Sequence, residues 1–233
     1  VAVTVIAAVQ AQLTLPPGFA KECSNTELCQ TQLNTISKDK KNRILTSAQS
    51  AIFDALATAH SANNLVSLEN QNSLFTYTLD GGQSDYDKCA THMLNLVKSF
   101  SSLSLLYFAD TNTKHWCGVW QPTAGKYYIW RDVNSVTSYF DFNGTQIQNP
   151  SSGTFVIDQR AWYVAAAARF TALKSSLPLA GTAKANVWSP LYDFDTGGLG
   201  ITLSRPLYNT SATVPALTGI IGADFDLDAV ALL

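Results

Sequence analysis

The stretch LSLLYFADTNTKHWCGVWQPTAGKYYIWRDVNSVTSYFDF, residues 103–142, decides the fold. It holds four short runs rich in Tyr, Trp, Val and Phe: Leu103 to Ala109, Lys114 to Gln121, Lys126 to Val133 and Thr137 to Phe142. Turn signals part them, at Asp110-Thr111-Asn112, Pro122 to Gly125 and Asn134-Ser135. Connections this short join antiparallel neighbours and leave no room for crossover helices, so the stretch reads as an antiparallel meander. Its aromatics Trp116, Trp120, Trp130, Tyr127 and Tyr128 read first as sheet core. The second reading is that one or two of them line a pocket.

Working outward, the period changes. From Ser37 to Ala62 the residues Ile44, Ala48, Ala51, Ile52, Ala55, Leu56 and Ala59 recur at three- and four-residue steps, one stripe of a long helix. Ser37 can cap it, and Asp39 suits its first turn. A second helix is expected from Ser84 to Phe100, capped by Ser84 or Asp85, with Met93, Leu94, Leu96 and Val97 as its apolar face. Beyond the meander, Arg160 to Lys174 is Ala-rich and helical, and Gly200 to Tyr208 and Leu217 to Leu227 read as strands. Helices followed by strands, with one helix between, give an α+β fold. There are no internal repeats and no low-complexity tract.

The chain has 233 residues, enough for one domain with a full core or two small ones. Charged residues make up 14%, against roughly 25% in ordinary soluble domains, which speaks against long disordered stretches. A net charge of −2 with a single basic run, Lys38, Lys40, Lys41 and Arg43, argues against a nucleic-acid partner. Residues 1–9, VAVTVIAAV, are too few to cross a bilayer. They read as the tail of a signal peptide, the outer end of a membrane helix or a buried helix turn. Cys23 with Cys29 and Cys89 with Cys117 are plausible pairs, although four cysteines allow three connectivities. With His60, His92 and His115 far apart and no CxxC, disulfides fit better than zinc. Sequons at Asn143-Gly144-Thr145 and Asn209-Thr210-Ser211 lean the same way, outside the cytoplasm.

Three further stretches carry chemistry: Gln159-Arg160-Ala161-Trp162-Tyr163, Trp188-Ser189-Pro190-Leu191-Tyr192-Asp193 and Gly222-Ala223-Asp224-Phe225-Asp226-Leu227. With the long leading helix, "LSLLYFAD" and "SPLYDFDTGGLGITLSRPLY", they resemble the Cache family of extracellular sensor domains. The likeness runs from about Ser37 onward, and is strongest to the membrane-distal module of the amino-acid-binding double Cache type. The resemblance implies a PAS-like module: a long N-terminal helix packed on an antiparallel sheet of five to six strands. It implies that Arg160 and Trp162 hold a ligand carboxylate, that Tyr163 and Tyr192 belong to the same site, and that Asp224 takes the ligand ammonium. Phe155 stands where relatives carry a Tyr, and Leu191 intervenes after Pro190. In double Cache relatives a second module follows the "GADFDLD" strand; here the chain stops at Leu233.

The chemistry of these residue types agrees with that division of labour. An α-amino acid is a zwitterion, so its site needs a cation and an anion a few ångström apart behind aromatic walls. A guanidinium binds both carboxylate oxygens in one plane, and Tyr and Trp give apolar area with a polar tip. Other readings fit less well. Asp224, Asp226 and Asp228 lack the Gly and Glu of a calcium loop, Ala229 standing at the Gly position. Asp193 and Asp195 read as turn residues rather than an acid/base pair. Gly197-Gly198-Leu199-Gly200 opens a strand and is no phosphate cradle. No G-x-S-x-G elbow is present.

The sequence therefore predicts a leader or N-terminal loop segment over residues 1–36 and a ligand-binding module over 37–233. The expected role is that of an extracellular or periplasmic sensor of a membrane receptor, not an enzyme, with no cofactor. Its expected partners are an amino acid-like small molecule, a membrane tether in the full-length protein and a second copy through the long N-terminal helix. The rival is a Cache-like structural or interaction module of an adhesion or channel-auxiliary protein without a small-molecule ligand.

Overall fold

The computed structural model describes residues 27–71, Leu79, 83–100 and 103–226, apart from 124, 134–135, 144, 149–155, 177–182, 195–197 and 210–214. The chain divides into two compact units, residues 1–54 with 227–233, and Ala55–Asp226. The first is described only as helix. Cys23, the segment 1–9, Asp195, Asp228 and Phe155 lie outside the described residues.

Helix α1 spans Glu27–Gln71, longer at both ends than the Ser37–Ala62 stripe predicts. No Gly or Pro interrupts those 45 residues, so nothing local stops the helix. Ser37 is therefore an exposed residue inside it and not its cap. Beyond Ala62 the pair Asn63-Asn64 has poor helix propensity, because such side chains compete for nearby backbone. Here they bond elsewhere: Asn63 Nδ2 donates to the Leu203 carbonyl at 2.8 Å, and Asn64 Oδ1 accepts from Arg205 at 2.7 Å. In the second unit Ala55 and Ala59 of the expected stripe are buried, and the stripe continues through Ala62 and Val66. Helix α2, Gln83–Ser99, buries Tyr86, Cys89, Ala90, Met93, Leu96 and Val97 along one face. Asp85 in its first turn and Lys98 in its last complement the helix dipole.

The strands are β1 Leu105–Asp110, β2 Trp116–Thr123, β3 Lys126–Val133, β4 Val136–Phe140, β5 Gln146–Gln148, β6 Val187–Trp188, β7 Tyr192–Asp193, β8 Leu199–Asn209 and β9 Ala216–Asp226. They form one antiparallel sheet in the order β5-β4-β3-β2-β1-β9-β8-β6, with β7 also on β8. Among the described residues the sheet thus has nine strands where five to six were expected. The six long ones match the sequence reading; β5, β6 and β7 have two or three residues each, too few for any period to register. The β1–β2 turn is closed by Asp110, whose Oδ1 accepts from the Asn112 and Thr113 amides at 2.8 and 3.2 Å. That turn places Lys114 at φ 63°.

The sheet divides two cores. On one face Leu106, Phe108, Cys117, Val119, Leu203, Leu207, Ile221 and Ala223 pack against α1 and α2. A disulfide joins Cys89 of α2 to Cys117 of β2. On the other face Leu105, Tyr107, Ala109, Trp116, Trp130, Tyr139 and Ile220 pack against Ile157 and helix α3, Ala161–Leu173, through Trp162, Tyr163 and Ala166. Both cores lie within Ala55–Asp226.

Candidate functional site

The second face holds a small cavity of about 270 Å³ of free space, part of it open to solvent. Its walls are Tyr107, Trp116, Trp130, Trp162 and Phe194, and its polar lining is Arg160, Tyr192 and Asp224. Six elements therefore meet there: β1, β2, β3, the start of α3, β7 and β9.

Arg160 reaches the cavity as the N-cap residue of α3, with φ −72° and ψ 140°. Its amide donates to the Ile157 carbonyl at 3.1 Å and its carbonyl accepts from Val164 at 3.0 Å, which fixes the backbone. The side chain makes no capping bond; its guanidinium carbon lies 5.9 Å from the centre of the Tyr192 ring, within cation–π range. Trp162, two residues on, is buried, with its ring 4.7 Å from that of Tyr107 in an edge-on arrangement.

Asp224 is placed by β9, the strand flanked by β1 and β8. In that register Leu105 and Thr202 stand opposite Asp224, and Tyr107 stands opposite Gly222. Tyr107, Gly222 and Asp224 then share one face, because side chains alternate along a strand. With no side chain on Gly222, the Tyr107 ring lies over its backbone; a Cβ there would come within 2.4 Å of ring carbons. The Tyr107 hydroxyl thereby reaches Asp224 Oδ1 and donates to it at 3.0 Å. The Thr202 hydroxyl donates to the same oxygen at 2.6 Å. Thr202 has one proton, which goes to the carboxylate, so at 2.6 Å the Tyr192 hydroxyl is the donor to Thr202. Burial first, then the Asp224 charge, push both the Tyr192 and the Tyr107 phenols up from their ordinary range, so both remain protonated donors.

The structure thus brings Arg160, Trp162, Tyr192 and Asp224 to one cavity. It puts Tyr163 elsewhere: its hydroxyl accepts from Lys114 Nζ at 3.0 Å, with Asp158 3.9 Å from the same ammonium, and it does not line the cavity. Trp116 and Trp130 line it, while Trp120 packs at a tilt against Tyr128 and Tyr139. Sequence reasoning missed Tyr107, Thr202 and Phe194. The signal available was Gly222-Ala223-Asp224, where a bare glycine two residues from a strand carboxylate leaves room for an aromatic ring from the neighbouring strand. Among the described residues no group of His, Cys, Asp and Glu could hold a metal ion, and no helix is long and apolar enough to cross a membrane.

The chain matches no family model and no curated protein. It is similar to several solved structures of sensory proteins. One is a methyl-accepting chemotaxis protein X, with TM-score 0.41 and 15% identity over 86% of this chain and 62% of that one. A second is the extracellular domain assigned to a histidine kinase, with TM-score 0.36 and 12% identity over 81% and 60% of the two chains. A third is the ligand-binding domain of the Pseudomonas aeruginosa PAO1 amino acid chemoreceptor PctC in complex with GABA, with TM-score 0.36 and 12% identity over 81% and 62%. The chain spans about three fifths of the length of these solved chains.

Proposed function

We propose that this chain is a Cache-type sensor module that binds a small ligand carrying both an amine and a carboxylate, an amino acid or close relative. The observation that carries this reading is the presence, in the lining of one aromatic-walled cavity, of both the Arg160 guanidinium and the Asp224 carboxylate. The direction of the hydrogen bonds gives each end its preference. The Tyr192 proton goes to Thr202 and the Thr202 proton to Asp224, so that end offers acceptor oxygens and suits an N–H-rich ammonium. The other end offers only donors, since a guanidinium has no acceptor, and sits at the N-terminus of α3 where the helix dipole favours an anion.

Binding, not catalysis, is the role, in a receptor whose membrane tether, effector and pairing through α1 belong to the full-length protein. The ligand shifts the module between two states by its differential affinity for them. A thermal-shift screen of the twenty amino acids, small carboxylates and amines tests the reading. One class carrying both groups raises Tm, and Arg160→Ala removes the shift. Each charge-assisted bond contributes about 1.5–3 kcal/mol, so the variant binds about 10- to 150-fold more weakly. No shift across the panel would favour the structural, ligand-free module instead.

A further inference from the structure

On the sheet face opposite the cavity four polar side chains meet: His60 and Asn64 of α1, Asn186 just before β6, and Arg205 of β8. Arg205 is fully buried. A guanidinium has only donors, so it orients its partners. The Asn186 Oδ1 accepts from Arg205 Nη1 at 3.1 Å, and Asn64 Oδ1 accepts from the same nitrogen at 2.7 Å. That turns the Asn186 amide nitrogen toward His60 Nδ1, 2.8 Å away, and toward Asn64 Oδ1 at 3.4 Å. His60 Nδ1 must then be an acceptor.

We infer that His60 is a proton-sensitive latch, which holds the sheet-docked part of α1 while its Nδ1 is bare and releases it when Nδ1 gains a proton. A proton there sets N–H against N–H. Asn186 cannot answer by flipping, since the flip would turn its NH2 onto the Arg205 guanidinium and its oxygen onto the Asn64 Oδ1 already oriented by it. The imidazolium also adds a second cation beside a buried one. The Trp188 ring of β6 stands nearly perpendicular to the His60 ring, with the ring centres 5.8 Å apart.

The direction of the pH effect follows. Burial, then the Arg205 charge, lower the His60 pKa from its ordinary 6.5. The unfolded chain therefore binds this proton more readily than the folded one. The stabilising contribution is complete above about pH 6.5 and is lost as pH falls toward the folded value. Arg205 is the charged side chain facing His60 from β8, and burial holds Arg205 itself at about 10, still a cation throughout this range. Lys184, two residues before Asn186, is exposed to solvent. On α1 itself Glu69 lies nine residues on, about 13 Å along the axis, and contacts His92 of α2 at 2.9 Å.

The test uses the whole chain. Imidazole NMR, with His60 assigned through its contact with Trp188, shows a neutral ring protonated on Nε2 at pH 7.5, titrating below 6.5. Urea unfolding between pH 7.5 and 5 shows the folding constant falling more steeply in the wild type than in His60→Gln, by about tenfold for each unit of pKa depression. Asn186→Asp supplies a carboxylate that accepts from Arg205 and from a protonated His60 together, and moves the His60 titration above 6.5. A wild-type His60 that titrates at or above 6.5, a proton on Nδ1 at neutral pH, or equal slopes in wild type and His60→Gln would overturn the latch. None of these readouts depends on a ligand in the cavity.

Discussion

Around Asp224 each contact depends on a single atom. The Tyr107 ring occupies the space that any side chain at position 222 would fill. Gly222→Ala therefore forces the ring off Asp224 and costs about 1–3 kcal/mol of stability, measured by urea unfolding. Thr202→Val removes the donor to Asp224 and the acceptor of Tyr192 with almost no change of shape. Losing these two bonds costs about 1–3 kcal/mol, and ligand-induced Tm shifts shrink with it. The raised phenols of Tyr107 and Tyr192 predict a further result: absorbance at 295 nm on raising pH shows these two ionising only as the chain unfolds. Ligand binding stays insensitive to tyrosine ionisation up to that point. Arg160, Trp162, Tyr192 and Asp224 could be picked from the sequence only through the resemblance to the Cache family, whose motifs they match. Tyr107 and Thr202 could not, because each meets Asp224 through cross-strand register, which no local pattern encodes. Tyr163 looked equivalent to Trp162, but consecutive helix residues diverge by about 100°, and it turns to Lys114 instead.

Among the elements, α2 is held to the sheet by both packing and a covalent link. The Cys89–Cys117 bond closes a loop with a sequence separation of 28 residues. The loop-entropy relation gives about 3–4 kcal/mol for a loop of that size. Cys89→Ala/Cys117→Ala is expected to lower unfolding free energy by about that much, read from urea midpoints against the wild type. The meander and the two long C-terminal strands were legible because each run carries five or more residues between strong turn residues. The short strands β5, β6 and β7 exist because a longer neighbour offers them hydrogen bonds, so their own residues carry little sign of them. The far end of α1 was hidden for a related reason. Asn63 and Asn64 weaken a helix in isolation, and only the β8 carbonyl and guanidinium make them compatible with one.

At the scale of the molecule, β9 lies between β1 and β8 and is buried along most of its length. Hydrogen exchange is expected to be slowest in β1, β8 and β9 and fastest in the edge strand β5, as protection follows burial and pairing on both sides. Strand β8 carries one more consequence. Thr202 turns toward the cavity, the Leu203 carbonyl accepts from Asn63 of α1, and Arg205 turns to the helix side. Slipping β8 by one position would exchange its two faces, burying a guanidinium among the cavity's tryptophans and leaving Asp224 facing leucine. Inserting or deleting a single amino acid between Gly200 and Arg205 thus disables the pocket and the helix anchorage in one stroke.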